Sequence, residues 1–125
     1  DAGQHNQTIA DGLAVPTASE LVYPLMRERL SGIVVATEDR MYSDVWRLKS
    51  MAGLKVEPSA AASASGARAL LGTEAGRNYL QTHGLQALLP QANHVLWTTG
   101  GALMPTDEYD ALLIAGEEAD RRLAA

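Results

Sequence analysis

Trp97-Thr98-Thr99-Gly100-Gly101-Ala102-Leu103-Met104-Pro105 is the stretch on which the fold reading turns. It follows the apolar run His94 to Trp97 and precedes Thr106-Asp107-Glu108, which reads as a helix start. The order is strand, glycine-containing turn, helix N-terminus. That order offers a hydroxyl, backbone N–H groups with no side chain in the way, and a helix dipole, all facing one pocket. Alone, Thr-Thr-Gly-Gly is a weak signal. It gains weight beside Ala10-Asp11-Gly12-Leu13-Ala14-Val15 and Leu54-Lys55-Val56-Glu57-Pro58-Ser59.

Working outward, Ile33-Val34-Val35-Ala36 is a second β-branched run and reads as a buried strand. Before it, Thr17-Ala18-Ser19-Glu20 fits a capping box, so a helix is expected to about residue 30, with Pro24 kinking it or shifting its start. After it, Thr37 is placed to cap a helix with Glu38 and Asp39 in its first turn. Met41, Val45, Leu48 and Ala52 recur on one face of that helix, and Gly53 sits where a left-handed C-cap belongs. Leu54-Lys55-Val56 is a brief extended piece. Pro58 opens a small-residue helix running to about residue 70. Thr73 caps another that ends at His83-Gly84. Residues 85–92 form a loop or frayed helix broken by Pro90. A last helix runs over 106–114, with a tail that continues or frays. The sequence of elements predicts an α/β class: a partial three-layer fold with a few parallel strands flanked by helices. Two short strands leave both edges open and cover little core, so they are expected to join a larger sheet supplied by other chain.

The 125 residues allow one domain, here read as a single partial domain over 1–125. A formal charge of −5 argues against nucleic acid and anionic membrane as partners. Arg27/Arg29 and Arg121/Arg122 read as solvated helix surface. With no cysteine, a disulfide framework and a thiolate metal site are excluded. No apolar run approaches the ~20 residues that span a bilayer, and no signal peptide opens the chain; a cytoplasmic location is compatible. His5, His83 and His94 show no ligand spacing, so no metal site is expected within the chain.

The quoted stretches, in this order, resemble the C-terminal part of the D-serine dehydratases, enzymes of pyridoxal-phosphate (PLP) fold type II. The closeness of Met41-Tyr42 and of the run Val95-Leu96-Trp97 through Pro105 to those enzymes implies D-serine as substrate over L-serine or L-threonine, on which related dehydratases and racemases act. The resemblance implies a lyase that converts D-serine to pyruvate and ammonia by α,β-elimination. From the residues alone, Thr98 and Thr99 read as helix caps or strand-end packing. The resemblance implies instead that Thr99 meets the pyridine nitrogen of PLP. A neutral hydroxyl does not force that nitrogen to stay protonated, as an Asp would, and this suits a reaction whose carbanion loses a leaving group at once.

By the same resemblance, Gly100 and Gly101 let the backbone lie against the cofactor, while a turn needing positive φ is the plain alternative. Ala102 stands where the family often has a third Gly. Glu57, in Glu57-Pro58-Ser59, matches an acidic turn near the cofactor ring; as residues alone it reads equally as a helix N-terminal carboxylate. Asp11 is either an acceptor behind the site or, more simply, a turn residue with Gly12.

PLP chemistry needs a lysine that binds the cofactor covalently. Lys49 falls on a predicted amphipathic helix and Lys55 precedes the Glu57 turn; neither has the family's Ser-x-Lys setting. A Gly-rich phosphate cradle is also missing. The catalytic lysine is therefore expected upstream, no catalytic residue is assigned here, and the partner of this chain is the N-terminal part of the enzyme. A stand-alone α/β interaction domain is the non-catalytic alternative. A phosphate-ester site at the N-terminus of the last helix is disfavoured by Asp107 and Glu108.

Overall fold

A computed structural model describes residues 7–125; His5, named above, lies outside that range. The described residues form six α-helices and two short 3-10 turns. In chain order the helices are α1 (Val22–Met26), α2 (Glu38–Ala52), α3 (Pro58–Ala61), α4 (Ala64–Gly72), α5 (Glu74–Thr82) and α6 (Thr106–Ala124). The 3-10 turns are Asp11–Leu13 and Gln86–Gln91.

The frame is the pair α2 and α6. α2 starts as its sequence dictates: the Thr37 side chain accepts from Arg40 N–H, and Glu38 and Asp39 occupy the positive end of the helix dipole. It ends at Gly53, whose φ of 70° is the left-handed C-cap conformation. Met41, Asp44, Val45 and Leu48 share one face, and Val45 meets Val56, Ala60, Ala61 and Tyr109 in the core. α6 runs antiparallel to α2. Arg122 pairs with Asp39 at 2.7 Å, and Asp120 accepts from Ser43 at 2.7 Å and from Arg47 Nε at 2.5 Å. A Cβ on Gly116 would strike the Tyr42 carbonyl and the Trp46 side chain, so the two helices approach to backbone contact there.

Asp44 is 1 % exposed, and a buried carboxylate needs partners. α4 supplies them: Ser65 Oγ donates at 3.0 Å and Arg68 Nη2 at 2.6 Å. This pair fixes α4 on α2. Thr73 closes the chain into α5 by accepting from Gly76 N–H at 3.0 Å.

The expected α/β fold is overturned: among the described residues there is no strand and no sheet. Ile33, Val35, Val95 and Trp97, read as strand interior, are 84, 90, 90 and 77 % exposed. A β-branched run specifies a strand only where a neighbouring strand takes up its backbone hydrogen bonds and another layer covers its face. These short runs, with nothing long enough beside them, form no ladder.

The helix expected over residues 17–30 shrinks to Val22–Met26. Thr17 and Glu20 form no capping box there; Leu21 is the N-cap, and Ser19 Oγ accepts from Val22 N–H at 3.3 Å. The cause is Pro24. A proline lacks the N–H that a helix interior needs, so the start shifts until Pro24 falls in the first turn. The helix expected over 59–70 divides at Ala62–Ser63, where Ser63 Oγ turns back to the Ala60 carbonyl at 2.8 Å. The C-terminal tail continues as helix to Ala124. Arg121 and Arg122, read as solvated surface, each find a carboxylate, Glu117 and Asp39.

Asp120 anchors this frame electrostatically. The hydrogen bond from Arg47, then that from Ser43, hold its carboxyl below the ordinary carboxylate range. A depressed folded-state pKa contributes stability above the unfolded value, about 3.9, and that stability is lost as pH falls through the lower folded value. Asp120→Asn should therefore lower stability at pH 7 by about 1–2 kcal/mol, with half-exposed Arg47 keeping the cost modest. Urea unfolding between pH 7 and 3 should show the variant losing less stability on acidification than the parent. Parallel pH profiles would contradict the role given to Asp120.

Candidate functional site

The site begins with a short crossing of two segments. Residues 54–57 leave Gly53 and end at Glu57, the N-cap of α3, with Pro58 at the first helical position. Across them lies the Thr-Thr-Gly-Gly loop. Glu57 N–H donates to the Gly100 carbonyl at 3.1 Å. A Cβ on Gly100 would overlap the Glu57 carboxylate. Gly101 has φ of 125°, and a Cβ there would lie 2.6 Å from the Glu57 nitrogen and Val56 Cα. Both glycines are thus needed for a close approach, and Gly101 also for its backbone angle. The surface they press against is protein: Val56 and Glu57.

The loop then turns, with Met104 N–H donating to the Gly101 carbonyl at 3.3 Å, and enters α6 through Pro105. Neither Thr98 nor Thr99 caps a helix, because the N-cap of α6 is Pro105. Thr99 instead borders an open cavity of about 1010 Å³. Its wall also holds Glu57, Pro58, Gly100 and Gly101, with Tyr42 of α2 and Glu108 of α6. Leu103, Met104, Leu112 and Ala115 supply an apolar side.

The third stretch closes on the same place. Gly12 N–H donates to Ser59 Oγ at 3.0 Å, which fastens residues 10–15 to the start of α3. Asp11 borders the cavity and also accepts from its neighbour Gly12 at 2.8 Å, so the turn reading describes its local structure. Thr99, Gly100, Gly101 and Glu57, separated by more than forty positions, therefore meet around one space, with Asp11 at its edge. Thr98 does not line it.

The cavity wall is acidic, with Asp11, Glu57 and Glu108, and contains neither Lys nor Arg. Lys49 is exposed elsewhere on α2. Lys55 lies behind the loop, donating to the Met104 carbonyl at 2.7 Å with its ammonium 5.2 Å from the centre of the Tyr109 ring. Burial, first, pushes the Tyr109 hydroxyl above its ordinary pKa, so it stays protonated and donates to the Leu54 carbonyl at 3.4 Å. Sequence reasoning left Lys55 without a structural role. A signal was there: in an extended piece, residues 55 and 57 face the same way, so Lys55 follows Glu57 toward the loop. Tyr42 was noticed as a resemblance but not as a wall residue. Among the described residues no group of three or more His, Asp or Glu gathers as a metal site.

No family model matches the chain. Curated proteins do match it, among them several named probable D-serine dehydratases. One from Paracidovorax citrulli (strain AAC00-1) is 46 % identical over 109 residues, which are 87 % of this chain and 24 % of that protein. One from Cupriavidus pinatubonensis (strain JMP 134 / LMG 1197) is 45 % identical over 108 residues, 86 % and 24 % respectively. One from Rhizobium etli (strain CIAT 652) is 39 % identical over 121 residues, 94 % and 26 %. Over most of its length the chain is thus similar to part of the D-serine dehydratases, as the motifs imply, and it spans about a quarter of the length of these relatives.

The crossing makes a specific demand on the two glycines. Gly100→Ala should destabilise the chain by about 1–3 kcal/mol through its clash with the Glu57 side chain, and Glu57→Ala should relieve much of that loss. Gly101→Ala meets backbone and has the wrong φ, so Glu57→Ala should not rescue it. A double-mutant cycle by thermal unfolding separates the two; equal rescue of both would contradict this geometry.

Proposed function

We propose that the chain is the C-terminal portion of a PLP-dependent lyase that deaminates D-serine to pyruvate and ammonia, and that it holds the pyridine end of the cofactor. The observation that carries this reading is the meeting of Thr99, Gly100, Gly101 and Glu57 around one cavity, in a chain similar to part of the D-serine dehydratases. The chain then forms part of a larger catalytic domain and is not a complete one.

The residues present fit one end of PLP. The cavity has the size of a small-molecule site, with an apolar side for a flat ring and a neutral hydroxyl, Thr99, at its rim. They do not fit the phosphate end, since the wall offers carboxylates and no cation. When bound, PLP supplies the electron sink that stabilises negative charge at the substrate's α-carbon.

In this reading Thr99 Oγ1 donates to the pyridine nitrogen or accepts from it without fixing its protonation. Gly100 and Gly101 set the height of Thr99 by resting on Val56 and Glu57. Glu57 places a carboxylate at the cavity wall, where it orders polar groups beside the ring. The lysine that takes the α-proton and the phosphate cradle belong to the remaining part of the polypeptide. That part is also the partner that covers Ile33, Val35, Val95 and Trp97, because exposed apolar runs of this kind mark an interaction surface. No described helix is long and apolar enough to cross a membrane, and a cytoplasmic site of action completes the proposal.

Thr99→Ala, made in the complete polypeptide, should lower pyruvate release from D-serine by about tenfold or more, the equivalent of one lost hydrogen bond of about 1.4 kcal/mol. PLP should still load. Unchanged turnover would reject the role of Thr99. Absence of pyruvate from D-serine with the unmodified polypeptide would reject the substrate.

A further inference from the structure

The Thr-Thr-Gly-Gly loop has few means of holding its shape. Ala102 and Leu103 are exposed, and Pro105 gives α6 no side-chain cap. The hydrogen bond from Glu57 N–H holds the loop at Gly100, ahead of the turn. Past the turn, the polar tie to residues 54–57 is Lys55 Nζ, 2.7 Å from the Met104 carbonyl. The same ammonium stands over the face of Tyr109, and the Tyr109 hydroxyl returns to Leu54, the residue before Lys55. Residues 54, 55, 104 and 109 thus form a closed circuit. An ammonium beside the N-terminus of α6 opposes the helix dipole, so Lys55 is not there to stabilise that helix. Its favourable partners are a loop carbonyl and a ring face, and a charged donor holds a carbonyl more firmly than a neutral one.

We propose that Lys55 is a positioning residue: by gripping the Met104 carbonyl against Tyr109, it fixes the height of the loop and so sets Thr99, Gly100 and Gly101 against Glu57. The proposal rests on the reading of this cavity as the place of the PLP ring. Lys55 forms no bond to cofactor or substrate and lies behind the wall.

The test uses Lys55→Met, which keeps the apolar stem, and Lys55→Arg, which keeps a charged donor, in the complete polypeptide. Amide hydrogen exchange is read first on cofactor-free protein. In Lys55→Met the Met104 amide, which donates to the Gly101 carbonyl, should exchange about tenfold faster or more, while the amides of α2 and α5 stay within about twofold of the parent, and Lys55→Arg should restore much of the protection. PLP binding, followed by cofactor absorbance, should weaken about tenfold in Lys55→Met and recover in Lys55→Arg.

Unchanged exchange at the Met104 amide overturns the proposal. So does uniform acceleration across all helices, which is the mark of a purely structural lysine. A loosened loop with unaltered PLP affinity overturns it as well. If the unmodified polypeptide takes up no PLP, the reading of the cavity falls, and the exchange data still decide whether Lys55 holds the loop.

Discussion

Two glycines resting on two backbone residues set the geometry of the site. Gly100 and Gly101 lie so close to Val56 and Glu57 that no side chain fits between, and the Glu57 N–H to Gly100 carbonyl bond fixes the register of the contact. Everything at the cavity is referred to that crossing. It decides where Thr99 stands, which way Glu57 faces, and where the chain enters α6. The fit is an exclusion: a Cβ at either position would push the loop off its support.

The crossing is held from outside by α2 and α6. Their antiparallel contact buries Val45 against Tyr109 and Val56, and Met104 packs against the same core. Polar ties act at their edges: Asp120 between Ser43 and Arg47, and Asp44 between Ser65 and Arg68. These carboxylates do not line the cavity and serve the frame. The carboxylates at the cavity, by contrast, have no cation on the same wall. That separation of roles, paired acids in the frame and acids without a cation at the opening, supports the proposal that other parts of a longer polypeptide complete the site.

Local signals in the sequence were legible where their cause is local. Thr37 and Thr73 cap helices because a hydroxyl reaches an N–H three residues on, and Gly53 takes the left-handed turn that its position demands. The three stretches that meet at the cavity were also legible, through resemblance and not through any spacing rule. What misled was the pair of β-branched runs. Ile33 to Ala36 and His94 to Thr98 carry the composition of buried strand, but composition states only what a segment does when covered. Here nothing among the described residues pairs with them, and they stay open. Pro24 and Ser63 show the same limit on a smaller scale: each shifted or split a helix that periodicity alone drew as continuous. Lys55 stayed hidden because its partners, Met104 and Tyr109, lie about fifty positions away.

The most direct measurement is a crystal structure of the complete polypeptide loaded with PLP. The account predicts the pyridine nitrogen within hydrogen-bonding distance of Thr99 Oγ1, with Gly100 and Gly101 still seated on Val56 and Glu57. A ring nitrogen bound by another side chain, with Thr99 turned to solvent, would contradict it.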